Sequence, residues 1–564
     1  MTETPDHRLP DPGANAMTDR FREVSSRILD ALLEERPEWA TELGDDRFDD
    51  RLTDHSEDAG ARRAATLADA LGALDEIDDT LLPPEDRVDL ELLRTRVSGD
   101  LWRTTELRPH TWDPLEQLPG EGLSPLIERE SAPAAVRLER LAARCAAVPD
   151  FLSTARSVLD SGPGMPRVHV ETAIARVRAT AELLTGGVDA LLADEPSLAS
   201  RVLPARDAAR EALSTHAAWL AERLDSAVAD PRLGARDYAA QLWYTLDSEL
   251  SPETLLTRAE SDLLAAEEEI AELAAEYEGR PRHPGQVRRV LDRIAERSAS
   301  EEATVRPMCE KALEHLVART AELDLVTVPD TAIRIVAMPG PRRGVCVAYC
   351  DPPGPLAPRG EEPTTIAVAP PPGEWPAARR ASFHREYNSH MLRNLMVHEA
   401  VPGHALQLAH AARYQGATRV RTALRSGSFV EGWAVYAEDL IAENGWGEEP
   451  DLPLRLTHLK MRLRTLLNAI IDVRVHAHDL SEAEAMELLT QRGHQEEGEA
   501  AGKWRRALLT SAQLATYYVG HREIAAIARD LAAARPADSA RRRHDAMLAH
   551  GSPSPRHLRA LLGV

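Results

Sequence analysis

At 564 residues, with 43% hydrophobic and 28% charged positions, the chain is long enough to bury a large core and too ordinary in composition to be disordered. Acidic residues outnumber basic ones by 92 to 67, and the formal net charge of -25 argues against nucleic acid and anionic membranes as partners. Aromatic residues make up only 4%, while Ala, Leu, Arg and Glu abound, a balance that favours helix over sheet.

The first residues, MTETPDHRLPDPGANAMTD, are polar and proline-bearing, with neither a basic start nor an apolar core, so residues 1–16 read as a disordered leader and not an export signal. No run of about 18 apolar residues follows. These features set the expectation of a cytoplasmic protein. From 17 to 324 the pattern is helical: the stretches 62–78, 84–105, 134–159, 168–193, 204–228, 253–278 and 300–323 carry apolar residues at three- and four-residue spacing. Gly162-Pro163-Gly164, Asp194-Glu195-Pro196 and Ser251-Pro252 punctuate them, and no solenoid-type repeat is visible.

The texture changes over 325–375. Leu325–Val328, Ile333–Val336, Val345–Tyr349 and Thr364–Val368 are short β-branched runs broken by Pro and Gly, as in a small sheet inserted into a helical protein. Helical patterning resumes over 376–564, and one continuous, mainly α body is expected. Four cysteines (Cys145, Cys309, Cys346 and Cys350) make no disulfide framework in so long a chain. Cys346 and Cys350 share a strand face, but with no second close pair they read as buried thiols and not a metal pair.

The chemistry centres on His398-Glu399-Ala400-Val401-Pro402-Gly403-His404, at the end of an amphipathic stretch. In the H-E-x-x-H pattern of zinc peptidases the two imidazoles lie four residues apart on one helical face, beside a glutamate that acts as base. Here the second histidine is six residues on, and six steps turn a side chain by about 240°, onto the wrong face of an ideal helix. Pro402 removes a backbone donor and Gly403 tolerates unusual dihedrals, so His404 can return beside His398 only if the helix is distorted there. A third ligand is needed, and Glu431 is the best downstream candidate; Glu438, seven residues on and on the same face, suits the task of orienting a ligand histidine from behind. The plainer alternative is that a His-Glu pair is commonplace in a chain with 20 histidines, and that both glutamates are solvated.

H-E-A-V-P-G-H-A-L-Q, followed by S-F-V-E-G-W-A-V-Y-A-E, resembles the bacterial family called domain of unknown function 885, a group of helical, zinc-dependent peptidases by prediction. Ala348–Pro355, Arg385–Asn388, Tyr517–Gly520 and His544–Leu548 with Gly551-Ser552 resemble further elements of that family. The resemblance spans roughly 17–564 and is strongest from 340 to 440, although Ser511-Ala512-Gln513 stands where the family commonly has Pro-Gly-Gln. It implies His398, His404 and Glu431 as metal ligands, zinc or another divalent ion as cofactor, and Glu399 as general base. Tyr517, Tyr518 and His544 are candidate donors to a tetrahedral oxyanion. Asp472 with His476 is a candidate pair for ordering the site, and Arg474 for holding a substrate carboxylate; Arg522 reads as surface charge, and His390 as a core or supporting histidine.

A peptide or a small amide is the expected substrate. Two other readings stand beside it: an amide hydrolase or biosynthetic enzyme for a specialised small molecule, and a non-catalytic helical binding protein that keeps the motif. A G-x-S-x-G elbow is absent, and Gly502-Lys503 is followed by Trp504, so neither a serine hydrolase nor a Walker loop is present. Oligomeric state and endo- or exo-cleavage leave no mark in the sequence.

Overall fold

The computed structural model describes residues 12–338, 347–358, 362–371, 373, 375–447 and 451–564. Residues 1–11 of the expected leader lie outside that set, and residues 12–16 are not leader but the first turns of helix α1, Pro12–Glu35. The chain is mainly α-helical with one small sheet, as its composition predicts.

In the N-terminal half the three-and-four spacing becomes packing. Leu138, Leu141, Cys145, Val148 and Leu152 of α2 (Ala134–Asp160) are buried at steps of 3, 4, 3 and 4, against Val177, Leu184 and Val188 of α3 (Arg167–Asp194) and Leu213 of α4 (Ala199–Glu222). Each such side chain contributes about 1.5–3 kcal/mol, an upper bound because the unfolded chain already hides part of it. Helix α4 stops at Glu222, short of the expected 228. The break read at Ser251-Pro252 is a helix start: the Ser251 side chain accepts from the Thr254 N–H and opens α5, Pro252–Glu278.

Helix α5 lies along α9, Leu452–Ala477, which is buried nearly all round and forms the spine of the C-terminal half. Beside it, α8 (Gly427–Asn444) crosses α11 (Ala515–Ala534) at two glycines. A Cβ at Gly432 would stand 2.4 Å from the Gly520 carbonyl carbon, and one at Gly520 would stand 2.0 Å from the Ser428 carbonyl oxygen. Only glycines let these two backbones touch.

The sheet has the order β1-β3-β2, with β1 (Ile333–Ala337) parallel and β2 (Ala348–Asp351) antiparallel to β3 (Thr364–Val368). The run Leu325–Val328 forms no strand. Asp324 before it is left-handed (φ 50), and its backbone is taken by side chains of α12, Ala540–Leu548: the Leu325 carbonyl accepts from His544 and the Thr327 N–H donates to Asp545. Cys346 lies outside the described residues; Cys145 and Cys309 are buried free thiols, and Cys350 is half-buried. No described helix is long and apolar enough to cross a membrane.

Candidate metal centre

Helix α6, Ser389–Glu399, opens on an Asn388 cap that accepts from the N–H groups of His390 and Met391. It ends at Glu399, and a new helix, α7, starts at His404 and runs to Ala411. The sequence demands a distortion within one helix, and the structure provides a complete break. Ala400 leaves helical geometry (φ -112, ψ -97), the Val401–Pro402 peptide bond is cis, and the Gly403 N–H folds back onto the Val397 carbonyl at 3.0 Å. A Cβ on Gly403 would lie 2.0 Å from the His398 carbonyl oxygen, so glycine is required by close approach and not by a positive φ. The buried Trp433 of α8 donates its indole N–H to the Pro402 carbonyl at 2.8 Å and holds the loop.

The break turns the two imidazoles toward each other, with ring centroids 4.6 Å apart and planes at 85°. Glu431, on α8 beside the glycine crossing, meets both: its Oε2 is 3.5 Å from His398 Nε2 and 3.4 Å from His404 Nε2. Ligands about 2.05 Å from one tetrahedral ion stand about 3.3 Å apart; both His–Glu edges match that, and all three ligand atoms lie within 4.8 Å of one another. That Oε2 is also buried with no hydrogen-bond donor among the described residues, which suits a metal-ligating atom.

His398 Nδ1 lies 2.8 Å from Glu438 Oε1, and the other Glu438 oxygen accepts from Asn394 Nδ2 at 2.7 Å. With Nδ1–H donated backward, the His398 Nε2 lone pair faces Glu431 and His404. Asp439, next in the chain, turns the other way and receives His458 Nε2 at 2.9 Å and His521 Nε2 at 2.5 Å. Glu399 is buried, and burial raises its carboxyl against the opposing pull of His398 and His404.

The remaining candidates separate. Tyr517 stays at the site: its ring stacks on that of His398, with centroids 6.3 Å apart, and its hydroxyl accepts from Arg506 at 3.1 Å, which leaves its own proton free to be donated. Tyr518 turns away and donates to Asp262 at 2.8 Å, so it is no oxyanion donor. His544 is also spent elsewhere, with Nδ1 on the Leu325 carbonyl at 2.7 Å and Nε2 on the Tyr436 hydroxyl at 3.0 Å.

Asp472 and His476 do not pair. Asp472 accepts the Ala512 and Ala515 N–H groups at 3.1 and 3.0 Å, and His476 Nε2 faces the Ala507 and Thr510 carbonyls at 3.0 and 2.9 Å. Together they fasten the turn before α11, where Ala512 holds a left-handed φ of 62. Arg474 is paired with Glu260 and cannot hold a substrate, while Arg522 pairs with Asp262 at the surface. His390 lies 3.9 Å from Asp451, away from the ligand cluster.

Asn394 and Arg506 are missed by sequence reasoning. Asn394 carried a usable signal, standing one helical turn before His398. Arg506 carried none.

A family model described as "Bacterial protein of unknown function (DUF885)" matches residues 37–562. Among solved structures, a candidate lipoprotein of unknown function from Shewanella oneidensis aligns with a TM-score of 0.77 at 24% identity, over 96% of this chain and 100% of its own. A candidate lipoprotein from Colwellia psychrerythraea aligns with a TM-score of 0.75 at 16% identity, over 98% of this chain and 99% of its own. These two share the fold. Among curated proteins, none matches the sequence. The expectation of a cytoplasmic protein is overturned by the solved relatives, both candidate lipoproteins. It rests on polar first residues and a missing apolar run, and neither decides where a chain is delivered.

Proposed function

The chain belongs to the DUF885 family of bacterial proteins, and from that premise we propose that it is a metal-dependent hydrolase, a zinc peptidase in its simplest form. One observation carries the reading: His398, His404 and Glu431 converge at tetrahedral-ligand spacing around a carboxylate oxygen with no donor of its own. A divalent ion held by these three supplies Lewis-acid chemistry, acidifying water and polarising an amide carbonyl. Glu399, buried beside the ligands, takes the proton from the attacking water and returns it to the leaving amine. The Tyr517 hydroxyl, with Arg506 donating to it, supplies a hydrogen bond to the oxyanion as charge develops there. Glu438 and Asn394 keep His398 in the ligating tautomer.

The test is metal analysis of the purified protein beside the Glu399→Gln variant, both assayed against a mixed peptide library. The expected outcome is about one equivalent of metal in both proteins and a loss of cleavage of at least about 100-fold in the variant. Undiminished cleavage by the variant removes Glu399 from its role, and a wild-type protein that retains no divalent ion removes the whole reading.

A further inference from the structure

The arginine that the sequence offers for holding a substrate carboxylate, Arg474, is occupied by Glu260. A different pair of cations stands beside the candidate metal centre. Helix α10, Glu497–Leu509, carries Glu499, Lys503 and Arg506 at spacings of four and three, along one face. Both oxygens of Glu499 are already used. Oε1 pairs with Arg464 at 2.5 Å, and Oε2 accepts from the Tyr387 hydroxyl at 2.9 Å. The next acid along, Glu386, is paired with Lys460 at 2.8 Å.

Lys503 is therefore left over. It is only 4% exposed, and among the described residues it has neither a hydrogen bond nor an ion pair. Its charged neighbours are the Arg464 and Arg506 guanidinium groups and the committed Glu499. Arg506 likewise has no carboxylate partner: it donates to Gln513 Oε1 at 2.7 Å and to the Tyr517 hydroxyl at 3.1 Å. Tyr517 in turn stacks on His398, which brings this face within one side chain of the ligand cluster.

A buried cation without an anion is costly and persists where something supplies the missing charge. Burial, then the two guanidinium groups, push the Lys503 ammonium well below its ordinary pKa, the mark of an unmet positive site. We propose that Lys503 and Arg506 form a pocket that takes a carboxylate of the substrate, its C-terminal carboxylate or an acidic side chain, so that the neighbouring amide lies at the metal centre. This inference rests on the peptidase reading and narrows it to acidic or C-terminal residues.

Binding is measured so that turnover is not needed. Calorimetric titration of the purified protein compares N-acetyl-dialanine with its C-terminal amide, and N-acetyl-alanyl-glutamate amide with the corresponding glutamine amide. In the wild type one acid probe is expected to bind about 10- to 100-fold more tightly than its neutral twin, the usual worth of a hydrogen bond to a charged group. The preferred pair tells a C-terminal carboxylate from a side-chain one. Lys503→Met should abolish the preference and Lys503→Arg should keep part of it. The methionine variant should melt no lower than wild type, because a buried amine with no hydrogen bond has gone; Lys503→Gln serves in its place if it does not fold.

Equal binding of acids and amides by the wild type overturns the proposal, as does a preference that survives Lys503→Met, which is the result expected if the probe's carboxylate sits on the metal itself. Peptide cleavage that continues with neither preference sinks the pocket and leaves the hydrolase standing. An acid preference in a protein that cleaves nothing does the reverse.

Discussion

At the scale of single residues, the candidate site depends on which ring nitrogen of His398 is free. Glu438 fixes that, because one of its oxygens faces His398 Nδ1 and the other is occupied by Asn394. Glu438→Gln keeps the shape but must turn an N–H toward one of these two donors. The expected result is a protein that folds normally and binds zinc about 10- to 100-fold more weakly, read by competition with a chromogenic chelator. An unchanged affinity would mean that Glu438 only packs. Much of this site is legible in the sequence, because Pro402 and Gly403 leave an unbroken helix impossible and His404 has to go somewhere near. The choice between Tyr517 and Tyr518 is not legible. Neighbours on a helix point about 100° apart, and which one faces His398 is decided by how α11 lies on α8. His544 misled for a related reason: its partner is the Leu325 carbonyl, 219 residues away.

At the scale of elements, Glu431 and Tyr517 come from helices far apart in sequence that meet at Gly432 and Gly520. Gly520→Ala places a methyl 2.0 Å from the Ser428 carbonyl oxygen, and the helices must part. Overpacking of this kind costs about 1–3 kcal/mol, and the shift carries Glu431 and Tyr517 with it, so metal affinity should fall together with the denaturation midpoint. Gly502→Ala is the control. Its Cβ meets nothing within 4 Å on an exposed turn of α10, and it should be neutral or slightly stabilising. Equal behaviour of the two variants would dismiss the crossing as a positioning device. The helices themselves were legible because their periodicity is local. The strand expected at Leu325–Val328 was not realised, because β-branched residues report only a fit to extended backbone, and here side chains of α12 supply the partners that another strand would have given.

At the scale of the whole molecule, the charge of -25 and a few buried ionisable groups decide how stability follows pH. Burial pushes the Asp472 carboxyl up to about 7, against the two backbone N–H groups it accepts. An unfolded aspartate titrates near ~3.9, so between those values the folded chain holds a proton that the unfolded chain has lost. Stability from this group is complete below about 4 and drains away as pH rises to about 7. His458 acts in the same direction at higher pH. Burial lowers it, but Asp439 more than compensates and holds it above the ordinary histidine value, so its contribution is full below ~6.5 and fades as pH climbs through the raised pKa. Asp439 works at the other end: two imidazoles outweigh its burial and hold it far down, so its contribution is present above ~3.9 and is lost in acid. General repulsion among the surplus carboxylates also grows with pH and is screened by salt. Thermal melting across pH 4–9 should therefore peak at about pH 5–6, on the acid side of neutrality. Added salt should raise the melting point more at pH 8 than at pH 5. Asp472→Asn should flatten the decline between pH 4 and 7 whatever it does to absolute stability, since a neutral amide has no proton to lose. A profile that keeps its slope in that variant would show that Asp472 is ionised throughout, held by the turn it caps.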